Sequence, residues 1–257
     1  MATEQVMTDG QLAAHLAEVA GKLLITVRDS GVLSLKALGK AGDATANQFL
    51  IHALREQRGG DGLLSEEEKD NLDRLSASRV WIVDPVDGTR EYGEAREDWA
   101  VHVGLAVDGA PVLGAVALPG ANGGQGIVLR TDAPVAVPPA PEKLRMVVSR
   151  TRPAREAVAV AEAIGAELVP MGSAGAKTMS VILGQADIYL HSGGQFEWDS
   201  CAPAAVALAH GLHASRIDGS PLIYNQADTY MPDLLICRKE HAQIVLDQIA
   251  ALMASSL

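Results

Sequence analysis

Trp81-Ile82-Val83-Asp84-Pro85-Val86-Asp87-Gly88-Thr89-Arg90 is an apolar strand that stops at two carboxylates, a glycine and a hydroxyl. Three apolar residues bring the backbone out of a core, and Pro85 is expected to halt regular pairing there. Asp84 and Asp87 then converge on hard cations, with the Val86 carbonyl oxygen offered between them. Gly88 lets the chain turn closely past a ligand. The amides after it face a phosphate, and the Thr89 hydroxyl is placed to hold or activate a water beside the metals. The stretch reads as a metal-and-phosphate site.

The nearest competing motif is the Asp-x-Asp-Gly-Thr loop of phosphatases with an aspartyl nucleophile, whose attacking carboxylate sits two residues before the second Asp. That position is Pro85 here, so a covalent mechanism has no nucleophile. A bare Asp-Gly-Thr is ordinary turn punctuation. A further Asp three residues upstream, at the end of an apolar strand, is what favours function over punctuation.

A chain of 257 residues, 48% of them hydrophobic, suits one large domain or two modest lobes with a sizeable core. The net charge of −11 argues against a nucleic-acid backbone or a membrane surface as partner, although cations bound in a site still admit a polyanionic substrate. Two cysteines, Cys201 and Cys237, form neither a disulfide framework nor a thiolate metal site. The N-terminal residues lack the pattern of a signal peptide, and no apolar run approaches membrane-spanning length, so a cytoplasmic location is expected.

Helical spacing of apolar residues predicts helices over residues 8–29 and 43–55. Short strands follow at 63–64 and 80–83, then a hairpin of strands 99–107 and 111–118 around Asp108-Gly109, and another strand at 127–130. Pro134, Pro138, Pro139 and Pro141 mark a linker. The expected lobes are therefore 1–135, helices on an antiparallel sheet, and 141–257, an α/β lobe. In the latter, strands at 144–149, 167–170 and 187–191 alternate with helices at 154–164, 176–183 and 201–210. Two short strands and a helix at 240–253 close the chain. The fold class is α/β (α+β), layered.

Several other carboxylates are mute when taken singly. Ser65 with Glu68 fits a helix capping box, Asp43 fits a helix N-cap, and Asp199 sits at a helix start. Together with Asp84 and Asp87, Asp199 and one of the paired glutamates Glu66 and Glu67 make a cluster of oxygen donors without His or Cys. That donor set suits Mg²⁺ rather than zinc.

With these residues in place, the chain resembles the inositol monophosphatase superfamily of Mg²⁺-dependent, lithium-sensitive phosphomonoesterases. The signature Asp-Pro-[apolar]-Asp-Gly-Thr stands at 84–89, the paired glutamates at 66 and 67, and Trp-Asp at 198 and 199. Within it, the chain is most similar to the CysQ-type bisphosphate nucleotidase branch, through residues 87–92, 175–177, 184–189, 198–203 and 221–225. The resemblance implies an αβαβα sandwich in two lobes, the first carrying most metal ligands and the second recognising substrate, with the site between them, and a homodimer. It implies two or three Mg²⁺ ions: Glu66, Asp84 and the Val86 carbonyl on the first, and Asp84, Asp87 and Asp199 on the second. Glu67 stands behind the ligands or, after a one-residue shift, serves as one.

The implied catalytic group is Thr89 with Asp43, assisted by Glu67. Gly88, Thr89, Arg90, Ser173, Lys177 and Asp199 contact substrate, with Lys177 and a serine or an arginine of residues 149–152 at the 5′-phosphate. The activity implied is removal of the 3′-phosphate of 3′-phosphoadenosine 5′-phosphate, without a phosphoenzyme, in sulfur assimilation. Phosphatases of inositol monophosphate or fructose 1,6-bisphosphate are the alternative within the class, and a non-catalytic metal- and phosphate-binding protein the alternative outside it. The chain departs from relatives that carry an arginine shortly after the Tyr equivalent to Tyr189; Leu190-His191-Ser192 follows here. His191, His210, His213 and Cys201 read as structural, and residues 123–126 as a turn rather than a phosphate loop.

Overall fold

The computed structural model describes residues 7–255. Helix α1 (Asp9–Asp29) starts at a capping box: Thr8 accepts from the Gln11 amide at 3.3 Å, and the Gln11 side chain accepts from the Thr8 amide at 3.0 Å. Helix α2 (Leu35–Gln57) begins at Ser34, well before the expected start at residue 43. Asp43 is thus a helix-interior residue and not an N-cap. The reason lies in Gly39 and Gly42, which look like loop residues in sequence but are contact points. A Cβ on Gly39 would lie 2.7 Å from Thr89 Cγ2, and one on Gly42 2.5 Å from the Tyr92 ring.

The first sheet has the order β1 (Gly62–Ser65), β2 (Arg79–Asp87), β3 (Ala100–Val107), β4 (Ala110–Leu118), β5 (Ile127–Arg130). Only the β1–β2 pair is parallel. Asp108 and Gly109 both have positive φ, +49° and +79°, as the tight turn of the β3–β4 hairpin requires. The expectation that Pro85 ends the pairing of β2 is corrected. The strand runs on to Asp87, because a bulge absorbs the proline: Asp84 pairs with His102 and Asp87 with Ala100, so three steps on β2 match two on β3. Short helices α3 (Thr89–Gly93) and α4 (Ala121–Gly124) follow β2 and β4, and the latter is the turn expected at the glycine run.

The second sheet contains β6 (Arg145–Ser149), β7 (Glu167–Met171), β8 (Ile188–Phe196), β9 (His213–Ser215) and β10 (Tyr230–Cys237), in the order β7-β6-β8-β10-β9. Its helices are α5 (Arg155–Ile164), α6 (Ala174–Ile182), α7 (Glu197–Ala209) and α8 (Lys239–Ser255). Helix α7 begins at Glu197 rather than at residue 201, so Asp199 lies in its first turn.

Three cores define five layers. Leu12, Leu24 and Leu50 of α1 and α2 cover Trp81 and Val83 on one face of β2. Val80 and Ile82 on the other face meet Ala202 and Val206 of α7, with Tyr189 and Leu234 of the second sheet beyond. Met146 and Leu235 then pack against Val160, Val245 and Ile249 of α5 and α8. The result is an αβαβα sandwich. Residues 80–83 of β2 are an unbroken apolar run because both faces of the strand are buried there. Helix α7 sits directly on strand backbone: a Cβ on Gly104 would lie 2.9 Å from Ala202 N, and one on Gly114 2.7 Å from Ala202 O.

Gly42→Val tests the contact of α2 with α3. Overpacking against Tyr92 is expected to lower the unfolding free energy by about 1–3 kcal/mol in a denaturant titration; an unchanged midpoint would show that the glycine is not a contact point.

Candidate active site

In a regular strand, residues three apart face opposite sides of the sheet. The β2 bulge removes that half-turn, and Asp84 and Asp87 come to share a side. Each of Asp84, Asp87 and Asp199 offers a carboxylate oxygen, and the three atoms lie within 4.8 Å of one another. The Asp84 side chain accepts from Val86 N at 3.0 Å. Asp199, in the first turn of α7, accepts from Phe196 N at 2.7 Å, so it is both a helix-capping carboxylate and a member of the cluster.

Asp87 is held most firmly. It projects from the end of the first sheet into the start of α6, where Oδ1 accepts from Ala174 N at 3.1 Å. Its Oδ2 accepts from Gly175 N at 2.6 Å and from the Ser173 hydroxyl. His102 Nε2 approaches Oδ2 at 3.1 Å as an ion pair, without hydrogen-bond alignment. Oδ2 is thus enclosed by two donors and the His102 ring, and Oδ1, with one donor, keeps a lone pair for a cation.

The parallel β1–β2 pair aligns Ser65 with Val83, which sets Glu66 beside Asp84, and the two side chains are hydrogen-bond neighbours. Glu67 points its charge at Asp43. The helix expected from Ser65 and Glu68 does not form, because the Ser65 hydroxyl donates to Asn47 Oδ1 at 2.7 Å across to α2. Gly88, at φ +86°, turns the chain into α3. Thr89 Oγ1 then lies 3.3 Å from Asp43 Oδ1 and 3.1 Å from the Val86 carbonyl, two acceptors for its single proton.

The electrostatics are those of a site built for added positive charge. Burial, with Glu66, Asp87 and Asp199 nearby, pushes Asp84 well above the usual carboxylate range. Burial followed by the charge of Asp87 raises Asp199 to about 7, burial and then Glu67 raise Asp43 to about 7, and burial and like charges raise Glu66 to about 7. Asp87 goes the other way: burial opposes its charge, but His102, Ser173 and Lys177 outweigh it and hold it at about 2. An all-oxygen donor set of this kind fits a hard divalent cation.

The remaining predicted residues are placed as follows. Arg90 is exposed and paired with Glu94 at 2.8 Å. Ser173 caps α6, accepting from Ala176 N. Lys177 is buried; its Nζ donates to Ser173 O at 2.6 Å and lies 5.2 Å from the Tyr189 ring centre. Arg150 bridges Glu91 and Glu94, each at 2.7 Å. His191, His210 and His213 bind Gly193 O, Val206 O and the Ser215 hydroxyl, and Cys201 is fully buried.

Sequence reasoning missed His102. It is fully buried, with Nδ1 3.0 Å from the Trp198 carbonyl and Nε2 against Asp87. Both nitrogens face acceptors, which suits the doubly protonated ring. Burial alone would lower its pKa, but Asp87 and the Trp198 carbonyl raise it overall. The available signal was a lone polar side chain inside the apolar strand β3.

The sequence profile of the inositol monophosphatase family matches residues 10–253, and the chain belongs to that family. It is 49% identical, over 95% of its own length and 94% of the relative's, to the 3′-phosphoadenosine 5′-phosphate phosphatase of Mycobacterium leprae (strain TN). It is 28% identical to the 3′(2′),5′-bisphosphate nucleotidase CysQ of Escherichia coli (strain K12), over 84% of this chain and 94% of that one. The fold matches the crystal structure of CysQ from Bacteroides thetaiotaomicron with a TM-score of 0.76, at 23% identity, over 90% of this chain and 97% of the other.

Two predictions follow from the charge balance. Asp43, Glu66 and Asp199 have folded-state values near 7, above their ordinary 3.8 to 4.5, so their contribution to stability is full below about pH 4 and is lost as pH rises through 7. The metal-free protein should melt at lower temperature at pH 8 than at pH 5.5, with Mg²⁺ restoring more at pH 8; scanning fluorimetry in chelator and in Mg²⁺ reads this, and a pH-independent Mg²⁺ effect contradicts it. His102→Leu removes a partner of Asp87 and should weaken Mg²⁺ affinity about tenfold or more by calorimetry. Unchanged affinity in a folded variant would make His102 a packing residue only.

Proposed function

We propose that the chain is a Mg²⁺-dependent phosphomonoesterase that takes the 3′-phosphate from 3′-phosphoadenosine 5′-phosphate, leaving AMP, and so clears the by-product of sulfate activation in sulfur assimilation. The observation that carries this is the meeting of Asp84, Asp87 and Asp199 at one point, in a chain that matches a phosphatase of that name along nearly its whole length. Two or three Mg²⁺ ions would be held by Glu66, Asp84 and the Val86 carbonyl on one side and by Asp84, Asp87 and Asp199 on the other. When bound, they supply the positive charge that stabilises the phosphoryl oxygens and leaving group and acidifies water. Inhibition by lithium, a homodimer and a cytoplasmic location belong to the same reading, as do two lobes, 1–135 and 141–257, with the site between them. Among the described residues no helix is long and apolar enough to cross a membrane.

The protein's own part is positioning and proton handling. Thr89 orients the attacking water, and Asp43, with its value near 7, takes up the proton relayed through the Thr89 hydroxyl at neutral pH. Glu67 tunes Asp43 by its charge. The amides of Gly88 and Thr89 hold the transferred phosphate, and with Pro85 where an aspartyl nucleophile would stand, the reading has no phosphoenzyme. Ser173 and Lys177 act from α6: the serine fixes Asp87, and the buried ammonium lends positive charge beneath Asp87 and Asp199. With Arg150 engaged by Glu91 and Glu94, Arg152 is the exposed cation of residues 149–152 left for the 5′-phosphate.

Phosphate release with Mg²⁺ from 3′-phosphoadenosine 5′-phosphate, inositol 1-phosphate and fructose 1,6-bisphosphate, compared by kcat/KM, tests the reading. A preference of about a hundredfold for the nucleotide, roughly 2.7 kcal/mol of transition-state binding, is expected. Comparable rates on all three would make it a broad phosphatase. Asp84→Ala should lose activity by orders of magnitude, and an unchanged background rate would leave only a binding protein.

A further inference from the structure

The chain is poor in aromatic residues, with three Trp, four Tyr and two Phe. Trp81, Trp99, Tyr92, Tyr189 and Tyr224 are fully buried, Phe49 is half-buried against the α1–α2 core, and only Phe196 and Tyr230 are exposed, at 39% and 42%. These two are cross-strand partners at the paired ends of β8 and β10. Trp198 stacks on Phe196 with ring centres 5.0 Å apart and 12° between planes, and Tyr230 meets Phe196 edge-on at 5.9 Å. Trp198 in turn packs on the central core, so the exposed ring has a firm backing.

The cluster is tied to the catalytic centre by backbone. The Phe196 amide donates to Asp199, and the Trp198 carbonyl accepts from His102. The neighbouring Gly193 and Gly194 leave open space, since a Cβ on either would meet nothing within 4 Å. Their positive φ values, +79° and +77°, disfavour any side chain there. The Gly194 amide donates to the Tyr230 hydroxyl at 3.2 Å and holds that ring in place. Exposed aromatic rings in a chain that buries nearly all its others mark a surface that something covers.

We propose that Phe196, backed by Trp198 and edged by Tyr230, is the stacking shelf for the base of the substrate nucleotide. The proposal rests on the nucleotidase reading and adds its specificity element. A base is a flat π surface that an aromatic shelf holds without needing hydrogen-bond partners, at a strength that varies severalfold to more than a hundredfold in affinity. The shelf fixes the nucleoside while the carboxylate cluster, one helical turn away at Asp199, addresses the phosphate.

The test compares wild type, Phe196→Leu and Phe196→Trp on 3′-phosphoadenosine 5′-phosphate and on fructose 1,6-bisphosphate, which has no base, with AMP quenching of tryptophan fluorescence in each protein. Phe196→Leu should raise the KM for the nucleotide about tenfold, lower the nucleotide-to-sugar ratio of kcat/KM by a similar factor, and weaken AMP quenching. Phe196→Trp should restore all three. An equal fall on both substrates, or a ratio that does not move, overturns the shelf, and a change confined to oligomeric state on sedimentation would assign the patch to a second copy of the chain. A wild type that does not prefer the nucleotide defeats the nucleotidase reading separately. In that event AMP quenching that survives Phe196→Leu, or is absent from wild type, overturns the shelf as well.

Discussion

The carboxylate of Asp87, sunk into the start of helix α6, is the interaction on which the rest is arranged. It leaves the last position of a strand in one sheet and takes two amides and a hydroxyl from a helix that belongs with the other. With the charge of His102 first, then the Ser173 hydroxyl and Lys177, that setting keeps a buried aspartate charged among other acids. The like-charged neighbours Asp84, Asp199 and Glu66 lean toward protonation, whereas Asp87 leans away from it. The cluster is therefore asymmetric: Asp87 is fixed and ionised, and its acidic neighbours are held toward protonation.

That asymmetry makes sense of several neighbours at once. Ser173 adopts φ +53°, unfavourable for a residue with a Cβ, and in that position it caps α6 and binds Asp87 together. Gly175 lies so close to His102 that a Cβ would collide with its Nε2. The Glu91–Arg150–Glu94 bridge links α3 to the strand end of the second sheet beside the same point. Each contact joins sequence-distant segments, so the site is where the two sheets are fastened together.

Much of this was legible in the sequence because its signals are local. An apolar run ending in Asp84-Pro-Val-Asp87, a hairpin at Asp108-Gly109, and the alternation of strands and helices after residue 144 all depend on neighbours a few positions apart. What was not legible depends on pairing. The convergence of Asp84 and Asp87 was legible, but its cause was not: the strand does not stop at Pro85, and the two share a face because β3 contributes one residue fewer at the bulge, which β2 alone does not record. Helix α2 starts early because its glycines touch α3, which spacing rules read as a reason against a helix. Ser65 looked like a helix cap until Asn47, eighteen residues away, claimed its hydroxyl. His102 was one polar residue in an apolar strand, and its meaning came from Trp198 and Asp87, neither of them near it in sequence.

Helix α7 rests on bare backbone at Gly104 and Gly114, with no side chain as a spacer. The close seating of α7 on these strands therefore helps to set the separation between Asp199 and the Asp84–Asp87 pair. A single methyl group on either glycine would act as a shim, lifting the helix and parting Asp199 from the pair without altering one carboxylate. The spacing of the carboxylates, and with it the radius of any ion they would share, is thus adjustable from a layer that stands apart from them.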